Sequence, residues 1–340
     1  MKITMIVNFN PQPNFIKTSP IQSRQYPNLA PLKQDTVSFG CKKFVRPKDL
    51  MDLKNKEIIQ VCINALEKEQ TIGQGTEAIV YKIPDYAMQY CLRRDKKTVP
   101  NTNKLKLDFN LDEYDKANFV IAKLGEGLTL LKYVPGIPLK IITKSDTESG
   151  IKVKHALQEL VANNFPIESF EKTISLIEES RSKGIVFDRK GENLLVDAIS
   201  QEMTPIDYSR QFNDIEYNPI SYIYHALDVD NTEHAAKVLK KLCIAYAERL
   251  KTVSKEELNL DVLDRNFYHR GFIFDPFNQF PDKEALEAVR AKLFDELLEQ
   301  KFTAAPDEFE WLVECYKDFV EEKLSISNRS RFPMSWDFDD

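Results

Sequence analysis

The chain has 340 residues, 42% hydrophobic and 29% charged with a net charge of −6, which is globular material long enough for one large domain or two lobes. That charge excludes a molecule built throughout to hold nucleic acid electrostatically, and no apolar run approaches the roughly 18 residues of a membrane span. Five scattered cysteines (Cys41, Cys62, Cys91, Cys243, Cys315) form no zinc spacing and read as reduced thiols.

In chain order, the first feature is a charge asymmetry. Residues 1–50 carry eight Lys/Arg against two Asp, a net of +6, so the remaining 290 residues net −12. Residues 1–48 also hold six prolines among many Asn, Gln and Ser, and read as a disordered basic leader. The apolar run "ITMIVNF" is short and no small-residue cleavage site follows it, so a cleaved signal peptide is not expected. A plain tail, a docking tail and a non-cleaved secretion signal all remain open.

Residues 49–69 predict an amphipathic helix: Ile58, Cys62, Ala65 and Leu66 recur at helical spacing behind a capping Asp49. The alternation in "AIVYKI" and "AMQYCLR" predicts two strands joined at Pro84-Asp85. "ANFVIAKL" and "LTLLKYV", split by Gly125-Glu126-Gly127, predict another pair. After Pro135-Gly136 the pattern turns helical, in "GIKVKHALQELVANN" and "PIESFEKTISLIEESRSKG", then over 231–250, 282–300 and 306–324. The fold class expected is α+β: a small antiparallel β-rich lobe over 49–133, a Pro-Gly joint, and a larger helical lobe over 134–340. Ligands often bind between such lobes.

Between those helices lies "GIVFDRKGENLLVDAISQEMTPIDYS" (184–209). Asp188 and Asn193 are five apart, Lys190 lies between them, and Asp207 follows the next apolar pair. Phosphoryl transfer needs a carboxylate to accept the attacking hydroxyl's proton, oxygen ligands for magnesium, and a cation near the phosphate. Asp188 has the chemistry of the base, Asn193 and Asp207 of the metal ligands, and Lys190 of the cation. A hairpin of "NLLV" with the segment 203–206 would bring Asn193 and Asp207 to one end.

At these residues the sequence resembles the protein-kinase superfamily, in an atypical, bacterial effector-like form. "DRKGEN" before "LLV" looks like the catalytic loop (188–193) and "IDYS" like the metal-binding Asp segment. The resemblance implies Asp188 as catalytic base, Lys190 as the loop lysine, and Asn193 and Asp207 as Mg2+ ligands. "IGQGTEAIVYKI" (72–83) resembles the glycine-rich loop over the ATP phosphates, with Gly73 and Gly75 in place, Ala78 at the third glycine and Val80 against the adenine. "LTLLKYVPGIPL" resembles the strand and hinge between the lobes. It implies Leu131 as gatekeeper, the Lys132 carbonyl and Val134 amide facing the base, and Leu195 closing the pocket. The matched region spans about 71–209.

Departures are specific. Arg93 stands where the family has its nucleotide-pairing lysine; Arg keeps the charge but is no neutral swap. Lys82, two residues after Val80 on one strand, is a second candidate. Asp112, Glu113 and Asp115 are the candidates for the acidic partner of Arg93, and Glu113 is the one expected. Val186-Phe187 replace His-Arg before Asp188, which argues against an activation-loop phosphorylation switch. Ser209 replaces a glycine, and no "APE"-like segment follows. His155, His225, His234 and His269 show no metal spacing.

The function expected is an ATP- and Mg2+-dependent kinase acting on a protein Ser or Thr. The alternatives are a small-molecule phosphotransferase of the aminoglycoside or choline kinase kind, and a pseudokinase that binds nucleotide or scaffolds. Lys190 favours the protein substrate, and Arg93 keeps the pseudokinase open. The expected location is the cytoplasm, or a host cell if the leader directs export.

Overall fold

A computed structural model describes residues 49–139, 148–188, 190–210, 219–227, 231–255, 257 and 283–325. The expected leader and His269 lie outside them. Within this range the protein is a mixed α+β structure with antiparallel sheets and two hydrophobic cores.

The first core is a helix on a sheet. Asp49 caps a single 3-10 turn, Leu50–Asp52, and not the long helix predicted behind it. Helix α1 (Asn55–Lys68) starts six residues later, where the Glu57 carboxylate accepts the Lys54 N–H at 2.9 Å. Its stripe of Ile58, Cys62 and Ala65 is buried, as the spacing predicts. It lies on a five-stranded sheet of β1 (Thr71–Gln74), β2 (Ala78–Lys82), β3 (Tyr90–Asp95), β4 (Val120–Gly125) and β5 (Leu128–Lys132), in the order β1-β2-β3-β5-β4. A five-residue helix, α2 (Glu113–Ala117), precedes β4.

Strand periodicity gives this sheet two faces. Tyr81, Leu92 and Leu130 point into the first core with α1. Their neighbours Val80, Arg93 and Thr129 share the other face, since Val80 pairs with Arg93 and Arg93 with Thr129 across the ladder. The β4–β5 turn has Glu126 at φ 50° and Gly127 at φ 72°, the two positive angles of a type I′ hairpin. A Cβ at Gly127 would collide with the Thr98 side chain, so glycine is required there.

The second core is helical. It comprises α3 (Glu148–Asn164), α4 (Ile167–Ser182), α5 (Pro219–Leu227), α6 (Thr232–Thr252), α7 (Lys283–Ala291) and α8 (Pro306–Lys323), with a π-helical stretch, Lys292–Leu298, continuing α7. Helix α6 is buried on most sides because Ala235, Ala236, Ala245 and Ala247 allow neighbours close while Leu239, Leu242 and Leu250 fill the gaps. Each fully buried Leu contributes about 1.5–3 kcal/mol.

Short strands join the cores. The chain crosses at Gly136 (φ 127°), where a Cβ would press to 3.0 Å on the Val196 backbone. It then forms β6 (Ile137–Pro138), which pairs with β8 (Leu194–Asp197); β8 pairs in turn with β9 (Glu202–Pro205). Strand β7 (Val186–Phe187) pairs with β10 (Tyr208–Ser209). The β8–β9 hairpin predicted from "NLLV" and the segment after it is therefore present, one residue earlier on its second strand. Strands β6, β7 and β10 were not legible in the sequence.

Candidate functional site

A cavity of about 380 Å³ lies between the exposed face of the five-stranded sheet and the β8–β9 hairpin. Val80, Cys91, Leu131 and Leu195 give it an apolar section; Arg93, Lys123, Lys132, Asp115 and Asp207 are its charged lining. Tyr133 and Val134 line it at the joint, and Tyr114 and Asn118 bring in the α2 segment.

The predicted residues divide into three groups. Val80, Arg93, Leu131, Lys132, Val134, Leu195 and Asp207 all line the cavity. Gly73, Gly75 and Ala78 do not, although Gly73 pairs with Val80. Their loop is held from the β3 side: the Gly75 carbonyl accepts the Lys96 ammonium at 2.5 Å, and the Glu77 carbonyl accepts the Lys96 N–H at 2.8 Å. Lys82 has Val80's strand parity but sits at the exposed end of β2, outside the lining. Asp188, Lys190 and Asn193 form a third group, outside the lining but tied to Asp207.

That tie is made by local backbone geometry. The hairpin places Leu194 opposite Pro205, and the Ile206 N–H donates to the Asn193 carbonyl at 2.8 Å. Asn193 and Asp207 therefore share one end of it. The Asn193 side-chain amide donates to the Asp188 carbonyl at 3.1 Å, and the Lys190 N–H donates to the same oxygen at 2.7 Å. The Asp188 N–H reaches the Asp207 carbonyl at 3.4 Å. Lys190 forms an ion pair with the Asp188 carboxylate.

Two features here carry a cost. Asp207 is buried with φ 62°, a left-handed conformation unfavourable by about 1–2 kcal/mol for a residue with a Cβ. Asn193 is 1% exposed, and its Oδ1 has no hydrogen-bond partner among the described residues. A buried oxygen left so costs about 1–3 kcal/mol. Magnesium takes oxygen ligands, commonly one or two from protein with phosphate and water completing the set. The buried Asn193 oxygen and the Asp207 carboxylate suit that donor set. Among the described residues no three His, Cys, Asp or Glu gather into a metal cluster.

On the sheet wall the cation has a different partner from the one expected. Arg93 Nη1 pairs with Asp95 Oδ1 at 2.8 Å, two residues along the same strand. Glu113 instead pairs with Lys116 at 2.6 Å and Lys183 at 3.0 Å on the exposed side of α2. A five-residue helix turns only one carboxylate inward, and that is Asp115, which holds Lys123 at 2.5 Å. This contact keeps the Lys123 ammonium charged above its ordinary range. Burial raises the Tyr114 hydroxyl, the Asp207 charge adds to this, and Arg93 and Arg210 oppose it. Burial pushes the Cys91 thiol to about 12, so Cys91 is an apolar lining group and no nucleophile.

Sequence reasoning missed Tyr114, Asn118 and Lys123, and weighed Asp115 as the acidic partner but preferred Glu113. Their signal is tertiary: α2 and β4 enter the site only because β4 pairs beside β5. Comparison with protein-family models, with characterised proteins and with solved structures finds no match to this chain.

Proposed function

We propose that the protein is an ATP- and Mg2+-dependent phosphotransferase of protein-kinase-like, bilobal architecture, acting on a protein Ser or Thr hydroxyl. The observation that carries this reading is the orphaned, buried Asn193 oxygen at the hairpin end it shares with Asp207, beside the Asp188 loop and a cavity with one apolar and one charged section.

In this reading the slot between Val80, Cys91, Leu131 and Leu195 takes the adenine, and Arg93 faces the phosphates. Asn193 and Asp207 would hold Mg2+, which when bound neutralises charge on the phosphate oxygens. Asp188 accepts the proton of the attacking hydroxyl. Lys190, already paired with Asp188, holds the base in place until a substrate displaces it. Burial of the apolar slot excludes water, which strengthens each charged contact.

One observation favours a second reading. The Arg93–Asp95 pair engages the cation within its own strand, as suits a module that holds nucleotide without transferring phosphate. The deciding experiment is incubation of the purified full chain with γ-labelled ATP and Mg2+, scored for label on itself and on a generic protein. Label on either, lost in Asp188→Asn, supports the kinase. ATP binding with no transfer to protein or to small hydroxyl acceptors supports the second reading, and no binding sinks both.

A further inference from the structure

We infer that Asn118 is a positioning residue that sets the backbone at Asp207. The inference rests on the phosphotransfer reading of the site and goes beyond it, since neither the motifs nor the proposed chemistry involve Asn118.

Asn118 closes the C-terminus of α2, and its side chain grips the residue after Asp207 at two points. The Tyr208 N–H donates to Asn118 Oδ1 at 2.9 Å, and Asn118 Nδ2 donates to the Tyr208 carbonyl at 3.3 Å. Nδ2 also donates to the Tyr114 carbonyl at 3.0 Å, which fixes the carboxamide to its own helix. A side-chain amide thus pairs with Tyr208 as a neighbouring strand would. Tyr208 cannot move relative to α2 without breaking both bonds.

The grip falls where the chain needs it. Asp207 holds a left-handed angle of φ 62°, which persists only where the surroundings over-determine it. On one side the hairpin fixes the chain through the Ile206 N–H; on the other Asn118 fixes Tyr208. The same α2 segment reaches two residues further. Asp112 forms an ion pair with Arg210, whose guanidinium lies 4.6 Å from the centre of the Tyr114 ring. Strand β10 then passes the constraint to β7, which pairs Tyr208 with Phe187, the residue before Asp188. One carboxamide therefore orients the metal-ligand segment directly and, through β10, the strand that leads into the base.

The test is ATP affinity of the full chain by calorimetry, with Mg2+ and with EDTA, for wild type and Asn118→Ala. The result expected is that wild type gains affinity from Mg2+ and that Asn118→Ala loses at least about tenfold of this gain, because small misplacement of a ligand costs heavily. Affinity in EDTA should fall far less than affinity with Mg2+, since Asn118 lines the α2 side of the cavity and not the apolar slot. Equal losses with and without the metal would mean a merely structural role and overturn the inference, as would an unchanged gain. If wild type binds ATP with no Mg2+ effect or fails to bind it, the functional reading falls and the inference with it. Should Asn118→Ala melt more than about 10 °C lower, Asn118→Leu, which keeps the side chain's shape but neither bond to Tyr208, is measured in its place. The same outcomes then decide.

Discussion

The loop that carries Asp188 and the sheet wall that carries Arg93 meet at one cavity but are assembled by different means. From Asp188 to Asp207 is a span of 20 residues, and one hairpin with four backbone-anchored bonds brings its groups together. The wall requires β2, β3 and β5 to pair in register, with β5 arriving only after α2 and β4. Local spacing therefore predicts which groups of the loop meet. Strand parity predicts only which face a wall residue takes, not whether the cavity reaches it. Lys82 and Val80 share parity, yet only Val80 lines the cavity.

The largest effect should come from the loop. Asp188→Asn should retain fold and nucleotide binding and lose about 10²–10⁴-fold in transfer rate. Unchanged turnover would break the assignment of the loop as the reacting side. Asp207→Ala should abolish the Mg2+-dependent gain in ATP affinity, read by titration with metal and with EDTA; a wild-type gain would make Asp207 a turn residue only.

Two paired substitutions sharpen the account of the wall. Leu130 and Leu131 are adjacent on β5, but Leu130 is fully buried in the first core while Leu131 faces the cavity. Leu130→Ala should destabilise the protein by about 2–5 kcal/mol in urea unfolding. Leu131→Ala should cost about 1 kcal/mol and change ATP affinity instead. Equal stability losses would mean that the cavity face is closed core. Arg93→Ala should slow transfer at least about tenfold, roughly 1.4 kcal/mol, and Arg93→Lys should recover part of it. Lys82→Ala, at an exposed strand end, should change the rate less than about twofold. The reverse order would move the phosphate cation to β2.

The parts legible in the sequence were those with a short-range cause. Helix α1 followed from Ile58, Cys62 and Ala65 at 3.6-residue spacing, although its start moved because Asp49 caps a separate turn. The helices over 232–252 and 306–323 followed from the same periodicity. The end shared by Asn193 and Asp207 followed from an apolar hairpin and its register. Two-residue strands such as β6 and β7 carry too few residues to show a period.

By itself the sequence determined the α+β class, the order of the longer elements, and the hairpin that brings Asp207 to the loop of Asp188, Lys190 and Asn193. It did so because each depends on periodicity or spacing within a few turns of chain. Tertiary structure alone decided which carboxylate meets which cation. Arg93 pairs with Asp95 along its own strand and Asp115 with Lys123 across from it, leaving Glu113 outside. It alone also placed Asn118 against Tyr208, 90 residues away. The contacts of Glu113 with Lys183 and of Asn118 with Tyr208 depend on how α2 meets the helical core, and no local pattern in the chain encodes the position of one core against the other.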